Sequence, residues 1–131
     1  MAEINSTKLA SVIARMMDNK MGKDIAILDI SNVSVMADFF VICSADTTTQ
    51  VKAVSGFIRE KVKELFGRIP AGDESDVRNR WNLLDYGDVI VHVLHREERE
   101  FYAIEKFWSH ACTLDEKTWM EESEDLKDQL I

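Results

Sequence analysis

The sequence predicts an α/β fold, or α+β by a stricter definition, in which helices pack on a mixed β-sheet of four or five strands. Three features indicate it: an amphipathic helix near the N-terminus, a long capped helix in the middle of the chain, and a β-hairpin after that helix. With the remaining segments they give the order α-β-β-α-β-β-α. The middle helix is then a crossover between two strand pairs, and its right-handed sense makes the flanking strands parallel if they are neighbours.

The first part of the chain contains an amphipathic helix followed by two strands. Apolar residues at helical spacing run from Leu9 to Met21, and Gly22 ends the helix. Residues 24–30 form an apolar run that is rich in isoleucine and too short for a helix, which indicates a buried strand. Residues 38–43 indicate a second strand.

The middle helix has the clearest boundaries. Thr47 can cap its N-terminus, and Gln50, three residues later, can complete a capping box. Gly67 supplies a left-handed C-terminal turn, and Pro70 prevents the helix from resuming. One apolar stripe along this helix contains Val51, Val54, Ile58, Val62, Leu65 and Phe66.

A β-hairpin follows the middle helix. Residues 81–86 and 89–94 are separated by Gly87-Asp88, a two-residue turn with glycine at its first central position. The second strand is apolar on both of its alternating faces. We therefore expect it to lie centrally in the sheet and to be covered on both sides.

A third helix and an acidic tail complete the chain. Glu97 and Glu98 suit the first turn of a helix because acids there oppose the helix dipole. Beyond this helix, the pattern allows either a short helix around Trp119 or a disordered tail. We expect one domain over residues 1–114 and an acidic C-terminal tail over residues 115–131, where seven acids face two lysines in a chain of net charge −8. The apolar stripe of the third helix contains Phe101, Ile104, Trp108, Ala111 and Cys112.

Length and composition exclude several classes of protein. At 131 residues the chain is too short for two sizeable cores, and two cysteines provide no disulfide framework. No apolar stretch approaches the ~20 residues that span a bilayer, and residues 1–7 lack a signal-peptide pattern, so we expect a cytoplasmic protein away from membranes. Sixteen basic against 24 acidic residues disfavour direct binding to DNA or RNA and favour a basic protein partner.

The common catalytic and cofactor motifs are absent from the sequence. The five glycines are scattered, no glycine-rich phosphate-binding pattern is present, and we expect no cofactor and no catalytic residue. His92 and His95 fall on a strand, where positions three apart point to opposite faces. A buried, hydrogen-bonded His92 is therefore favoured over a metal pair. For Cys43 and Cys112, packing is favoured over nucleophilic chemistry.

Two acids that flank the hairpin turn leave an alternative function open. Turn chemistry accounts for Asp85 and Asp88, because acids are common beside glycine in turns. Together with Asp29, however, they would supply the metal ligands of a nucleotide-handling enzyme. Such an enzyme also needs a glycine cradle or a basic clamp for phosphate, and neither is evident in the sequence.

Trp81 and Tyr86 lie within one predicted strand and on opposite faces of it. Both residue types are frequent in the hot spots of protein interfaces, so one interpretation places them at a surface that meets a partner. The other interpretation makes both of them core residues. Periodicity alone does not choose between the two.

Three motifs lie in register over residues 8–112, which is nearly the whole predicted body. The first is Ala37-Asp38-Phe39-Phe40-Val41-Ile42, with Thr47 to Gln50 and Val51 behind it. The second is Trp81-Asn82-Leu83-Leu84-Asp85-Tyr86-Gly87-Asp88-Val89-Ile90-Val91-His92-Val93, and the third is Arg99-x-x-Tyr102-x-Ile104-Glu105-x-Phe107-Trp108. In these motifs the chain closely resembles the ribosomal silencing factors, the RsfS or Iojap family. It departs from them at Ala45 and Ser75, where the family usually has glycine.

The resemblance implies a nucleotidyltransferase-like fold without transferase activity. Members of the family bind the large ribosomal subunit through ribosomal protein L-fourteen, block joining of the small subunit by occupying space, and so repress translation; they are often homodimers. The resemblance therefore implies a translational repressor and not an enzyme. We expect Trp81 and Tyr86 to supply apolar contact area and the acids to meet lysine or arginine of the partner. The residues that the resemblance assigns to this contact are Glu74, Trp81, Leu84, Asp85, Tyr86 and Asp88.

Overall fold

The predicted strands and the first two predicted helices are present, the predicted third helix is divided into two short helices, and further short elements are added. The computed structural model describes residues 4–75 and 77–131, and within this part of the chain no helix is long and apolar enough to cross a membrane. The helices are α1 (Ser6–Asn19), α2 (Thr48–Phe66), α3 (Arg96–Tyr102), α4 (Ile104–Phe107) and α5 (Glu116–Glu122), followed by a 3-10 helix (Glu124–Gln129). The strands are β1 (Lys23–Asp29), β2 (Phe39–Ala45), β3 (Gly72–Asp73), β4 (Trp81–Asp85), β5 (Val89–His95) and β6 (Cys112–Leu114).

The strands form one mixed sheet in the spatial order β3-β4-β5-β2-β1-β6. β2 and β5 pair in parallel, from Phe39 opposite Val89 to Ala45 opposite His95, and the other neighbouring strands pair antiparallel. The predicted α/β fold with a mixed sheet is confirmed. The sheet has six strands instead of four or five because β3 and β6 add two edges, whose two and three residues are too short to show strand periodicity.

Helix α2 crosses from β2 to the β4–β5 hairpin. The parallel neighbour of β2 is the second strand of that hairpin, so β5 lies centrally and all seven of its residues are buried, as predicted. The Thr47 hydroxyl accepts the backbone N–H of Gln50 (3.1 Å), and Gly67 ends the helix with a φ of 66°, which confirms the Thr47 cap and the Gly67 turn. The return bond from Gln50 to the Thr47 amide, which would complete the predicted capping box, is not among the hydrogen bonds of the described residues. The Gln50 side chain donates to the Met21 carbonyl (3.1 Å) and thereby ties α2 to the end of α1.

The two faces of the sheet are covered unequally. On one side, which we call the helix-covered face, α1, α2 and α5 bury the larger apolar cluster. On the other side, which we call the open face, α3 and α4 are the only helices of the described residues that lie over the smaller cluster, and they cover part of it. The larger cluster includes Met16, Val54, Ile58, Val91 and Trp119. The smaller cluster includes Ile30, Phe40, Ile42, Ile90, Leu94 and Ile104.

The acidic C-terminal segment packs against α1. Trp119 is 3% exposed and Leu130 is fully buried. Arg15 of α1 donates to the Ser123 hydroxyl (2.7 Å) and to the Met120 carbonyl (2.6 Å). Of the two alternatives that the sequence allowed, the short helix around Trp119 is the one that forms. The domain boundary after residue 114 stays a prediction. The structure shows that the segment beyond it contacts α1.

The predicted third helix is interrupted at Ala103. The backbone there is left-handed (φ 47°), so two short helices form in place of one continuous helix. The predicted apolar stripe is split as a result, since Ile104 is buried whereas Phe101 is 81% exposed. The chain then enters β6, which pairs with β1 and leaves Cys112 exposed. The packing prediction is therefore wrong for Cys112, whereas it is confirmed for the buried Cys43.

The two positions at which glycine is usual in the family do not require glycine in this chain. Ala45 is a buried residue of β2, and Ser75 lies after β3. Neither has a positive φ, so an L-residue fits both backbones without strain. Among the described residues other than glycine, positive φ values occur at Met21, Asp24, Asn79 and Ala103.

Candidate protein-binding surface

Strand β4 divides its side chains between the two faces of the sheet. Leu84 and the following Tyr86 belong to the cluster of the helix-covered face, whereas Trp81 and Leu83 pack against the cluster of the open face. The prediction that Trp81 and Tyr86 point to opposite faces is confirmed. Asn82 also points towards the helices, where its amide donates to the Ser55 hydroxyl of α2 (2.9 Å). Successive side chains of β4 thus alternate between the core under the helices and the open face.

An apolar groove of about 370 Å³ runs across the open face. Tyr102, Phe107 and Met36 at its margin are 51%, 81% and 55% exposed. The neighbouring Val35 and Phe101 are exposed as well. A monomeric soluble domain rarely leaves such a continuous apolar patch uncovered unless the patch binds something. The groove is lined by Met36, Phe40, Trp81, Leu83, Ile90, His92, Tyr102, Ile104, Phe107 and Trp108.

A continuous series of ring contacts joins five of the residues that line the groove. Tyr102 packs on Trp81 with 4.9 Å between ring centroids, and the Trp81 indole N–H donates to Nδ1 of His92 (3.1 Å). The His92 ring meets the edge of Phe40 at 4.8 Å, and Phe40 in turn meets Trp108 at 5.2 Å. Rings held by one another lose little further freedom when a partner covers them.

His92 is a buried, neutral member of this chain of rings. Burial lowers the pKa of His92 to about 4, so the imidazole carries no charge at neutral pH. Since Nδ1 accepts the indole proton of Trp81, the imidazole proton resides on Nε2. His95, by contrast, caps α3, where its Nδ1 accepts the backbone N–H of Glu97 (3.2 Å). The prediction of a buried and hydrogen-bonded His92 is confirmed.

The acids assigned by the resemblance lie along the β3–β4 edge and at the hairpin turn. Asp85 accepts the backbone N–H of Gly87 (2.8 Å) and is half-buried. Asp88 forms an ion pair with Arg68 (2.8 Å), which also donates to the Tyr86 carbonyl (2.6 Å). Glu74 is exposed, and its backbone N–H bonds to Leu83 across the edge. Of these three, Glu74 and Asp85 lie along the strand pair that borders the groove.

Two of the predicted contact residues lie inside the molecule. Leu84 is fully buried and Tyr86 is 6% exposed, and burial raises the pKa of the Tyr86 phenol to about 12. Tyr86 therefore has no apolar surface to offer a partner, contrary to the role expected for it, because the strand turns it towards α2. Leu83, three residues earlier, packs on the open face and lines the groove. The structure thus supports the surface interpretation for Trp81 and the core interpretation for Tyr86.

Sequence reasoning missed most of the groove. Leu83 was detectable, because it shares the face of Trp81 by simple alternation. Tyr102 and Phe107 were not, because they reach the groove only through the break at Ala103. Ile90 and Phe40 join them from two other strands, which sequence spacing does not place side by side.

The acids of the alternative enzyme are dispersed. Asp29 ends β1 and Asp85 ends β4, and the sheet order puts two strands between them, or roughly 14 Å at the usual strand spacing. Asp29 accepts from the Ser31 hydroxyl, while Asp88 pairs with Arg68. Within residues 4–75 and 77–131, no three histidine, cysteine or acidic side chains are grouped so as to hold a metal ion.

The fold and this surface define a class of protein: a mixed α/β domain with one closed face and one apolar, partly open face. The family model described as "Ribosomal silencing factor during starvation" matches residues 3–129. The chain therefore belongs to the family of ribosomal silencing factors. The match includes most of the acidic segment, which the motifs of the sequence analysis left outside the shared pattern.

Individual relatives agree with this assignment. The ribosomal silencing factor RsfS of Bacillus subtilis is 35% identical over 112 residues, which cover 86% of this chain and 94% of that protein. The chloroplastic protein Iojap of Zea mays is 33% identical over 92 residues, 70% of this chain and 40% of that protein. A crystal structure from Chromobacterium violaceum is 30% identical and superposes with a TM-score of 0.77 over 81% of this chain and 88% of that one. The relatives from Bacillus subtilis and Halalkalibacterium halodurans are both named ribosomal silencing factor RsfS.

Proposed function

We propose that this protein binds the large ribosomal subunit through ribosomal protein L-fourteen and blocks joining of the small subunit by occupying the space between them. The observation that carries this proposal is the apolar groove of the open face, together with membership in the silencing-factor family. No chemical step is required in this proposal, because the bound protein sterically excludes the small subunit.

The groove has the composition of an interface hot spot. Trp81 and Tyr102 form a tilted ring pair in its lining, and the exposed Phe107 lines it as well. Large aromatic side chains of this kind carry most of the binding energy in protein interfaces. Because the groove is partly preformed by ring contacts, docking spends little of its free energy on ordering it.

Charge supports a basic partner for the same surface. The chain has 24 acidic and 16 basic residues, and Glu74 and Asp85 lie on the strand pair beside the groove. Ribosomal proteins are mostly basic, and complementary charge speeds and orients encounter more than it raises affinity. Asp88 is paired with Arg68, so in this proposal it shapes the hairpin turn and contributes less to the contact than the other acids.

Leu84 and Tyr86 support the surface from behind. They belong to the core under α2, and their burial fixes the face on which Trp81 and Leu83 emerge. We propose that these two residues act through the fold, and that Trp81, Leu83 and Tyr102 make the contact.

The experiment is co-sedimentation with purified large subunits, paired with a pull-down on purified L-fourteen. Phe107→Glu puts a charge into the groove at an exposed position, so it should weaken binding tenfold or more without lowering the melting temperature. Ile69→Glu is the matched control, since Ile69 is also an exposed apolar residue (69%) but lies outside the groove. Equal binding by both variants would exclude the groove as the contact surface.

Sucrose gradients test the blocking step separately. Added wild-type protein should raise the free-subunit peaks at the expense of joined ribosomes, and Phe107→Glu should not. Self-association through the same groove is the competing use of this surface. It predicts a dimer whose mass falls to that of a monomer in the Phe107→Glu variant, with no effect of the wild type on subunit joining.

A further inference from the structure

We propose that His92 is a positioning residue for the docking surface: by accepting a hydrogen bond from the Trp81 indole, it holds that ring in place across the apolar groove. This inference rests on the proposed function, because it concerns the same groove. It assigns a role to a residue that would otherwise be an unexplained polar side chain in an apolar cluster.

The geometry places His92 within hydrogen-bonding distance of the indole N–H. Nε1 of Trp81 lies 3.1 Å from Nδ1 of His92, and the ring centroids are 5.9 Å apart with an angle of 51° between the planes. The two residues are diagonal neighbours on adjacent antiparallel strands, since Trp81 pairs with Leu94 and Leu83 pairs with His92. Diagonal pairs on one face of a sheet are within reach for aromatic side chains.

Packing alone does not explain a histidine at this position. The side chain is 5% exposed, and its Nε2 is buried with no hydrogen-bond partner among the described residues. A buried donor without an acceptor destabilises the folded state, whereas an apolar ring of similar size would fill the same space without that penalty. The bond to Trp81 is what the imidazole provides and a phenyl ring would not.

The indole is held from both sides. Tyr102 packs against it at 4.9 Å from the beginning of the α3–α4 break, while His92 anchors its N–H from the sheet. With the N–H anchored, rotation about the side-chain bonds of Trp81 is restricted before a partner arrives. An aromatic anchor that is already ordered loses less conformational entropy on docking, so it contributes more to affinity.

The test compares His92→Phe and Trp81→Phe, singly and together, in binding to purified L-fourteen. His92→Phe keeps the ring volume but removes the acceptor, and Trp81→Phe keeps an aromatic ring but removes the donor. We expect His92→Phe to weaken binding about fivefold, as for one net hydrogen bond. Trp81→Phe should weaken binding more, because the indole also contacts the partner, and the double variant should be no weaker than Trp81→Phe alone. Independent, additive losses would overturn the positioning role.

A spectroscopic measurement follows the indole itself. The Trp81 N–H resonance is identified by its absence in Trp81→Phe, and in His92→Phe it should move upfield and exchange faster with water. Trp81→Phe leaves His92 in place, so it tests the bond even if His92→Phe fails to fold. An indole resonance that is unchanged in folded His92→Phe overturns the inference, whereas wild-type protein that does not bind L-fourteen overturns the proposed function.

Discussion

The two faces of the sheet are both apolar, but one is closed by helices and the other is partly open. On the helix-covered face, α1, α2 and the C-terminal segment close the cluster, and Trp119 and Leu130 are buried by long-range contacts. On the open face, two short helices leave Phe107 and Tyr102 exposed beside a groove. Apolar periodicity therefore identifies the hydrophobic side chains of both faces. Those that the helices cover stabilise the fold, whereas those left uncovered are available to bind a partner.

The largest expected effect contrasts one aromatic residue from each face. Trp119→Ala removes a buried ring from the helix-covered face and should lower the free energy of unfolding by about 3–5 kcal/mol. Phe107→Ala removes an exposed ring from the open face and should change it by less than about 0.5 kcal/mol. Urea denaturation of both variants measures the difference. Similar losses in the two would contradict the division between the faces.

The next effect is a dependence of stability on pH that originates on the open face. His92 has a pKa of about 4 in the folded protein and about 6.5 when unfolded, so the unfolded state binds the proton first. Stability should therefore be highest above pH 6.5 and fall by about 3 kcal/mol on acidification to pH 4. Denaturation midpoints between pH 7 and pH 4.5 measure the slope.

The control for this slope is His92→Phe, which removes the titrating group and should flatten the curve over the same range. The carboxyls whose pKa values are lowered, Glu124 by its bond to Lys127 among them, lose their contribution only as the pH falls below their ordinary range. A slope that persists in His92→Phe would assign the pH dependence to another group.

A smaller effect concerns the closure of the helix-covered face. Arg15→Met removes the donor to Ser123 and Met120, and it should lower stability by about 1–3 kcal/mol. The rate of amide hydrogen exchange should rise mainly in residues 116–130, since this segment packs against α1 through Arg15. Exchange that rises evenly over the chain would show that Arg15 does not act on this segment in particular. Asn19→Ala, which removes one donor to the Leu130 carbonyl, is the milder companion variant.

The parts of the fold that the sequence predicted are those with a local cause. The Thr47 cap and the Gly67 turn depend on residues within three or four positions, so both ends of α2 follow from the chain itself. The hairpin at Gly87 and the burial of β5 were predicted for the same reason. The opposite directions of Trp81 and Tyr86 follow from the two-residue period of a strand.

The parts that escaped prediction depend on contacts between distant segments. The edge strands β3 and β6 have no periodicity of their own and form because β4 and β1 offer them hydrogen bonds. The burial of Tyr86 was likewise undetermined, because alternation says which side chains share a face but not which face the helices will cover. The exposure of Phe107 was undetermined because it follows the helix break at Ala103. Ala103 adopts a left-handed backbone that alanine does not prefer, so only the surrounding packing sustains it.

Neighbouring residues were thus sufficient to predict the first two helices, the hairpin, the central strand and the family motifs, since these depend on local sequence. Assembly decided the rest: which face closed, which aromatic residues met in one groove, and how the acidic C-terminal segment came to pack on α1. The physical reason is that burial and charge pairing depend on groups brought together across more than a hundred positions, such as Arg15 and Ser123.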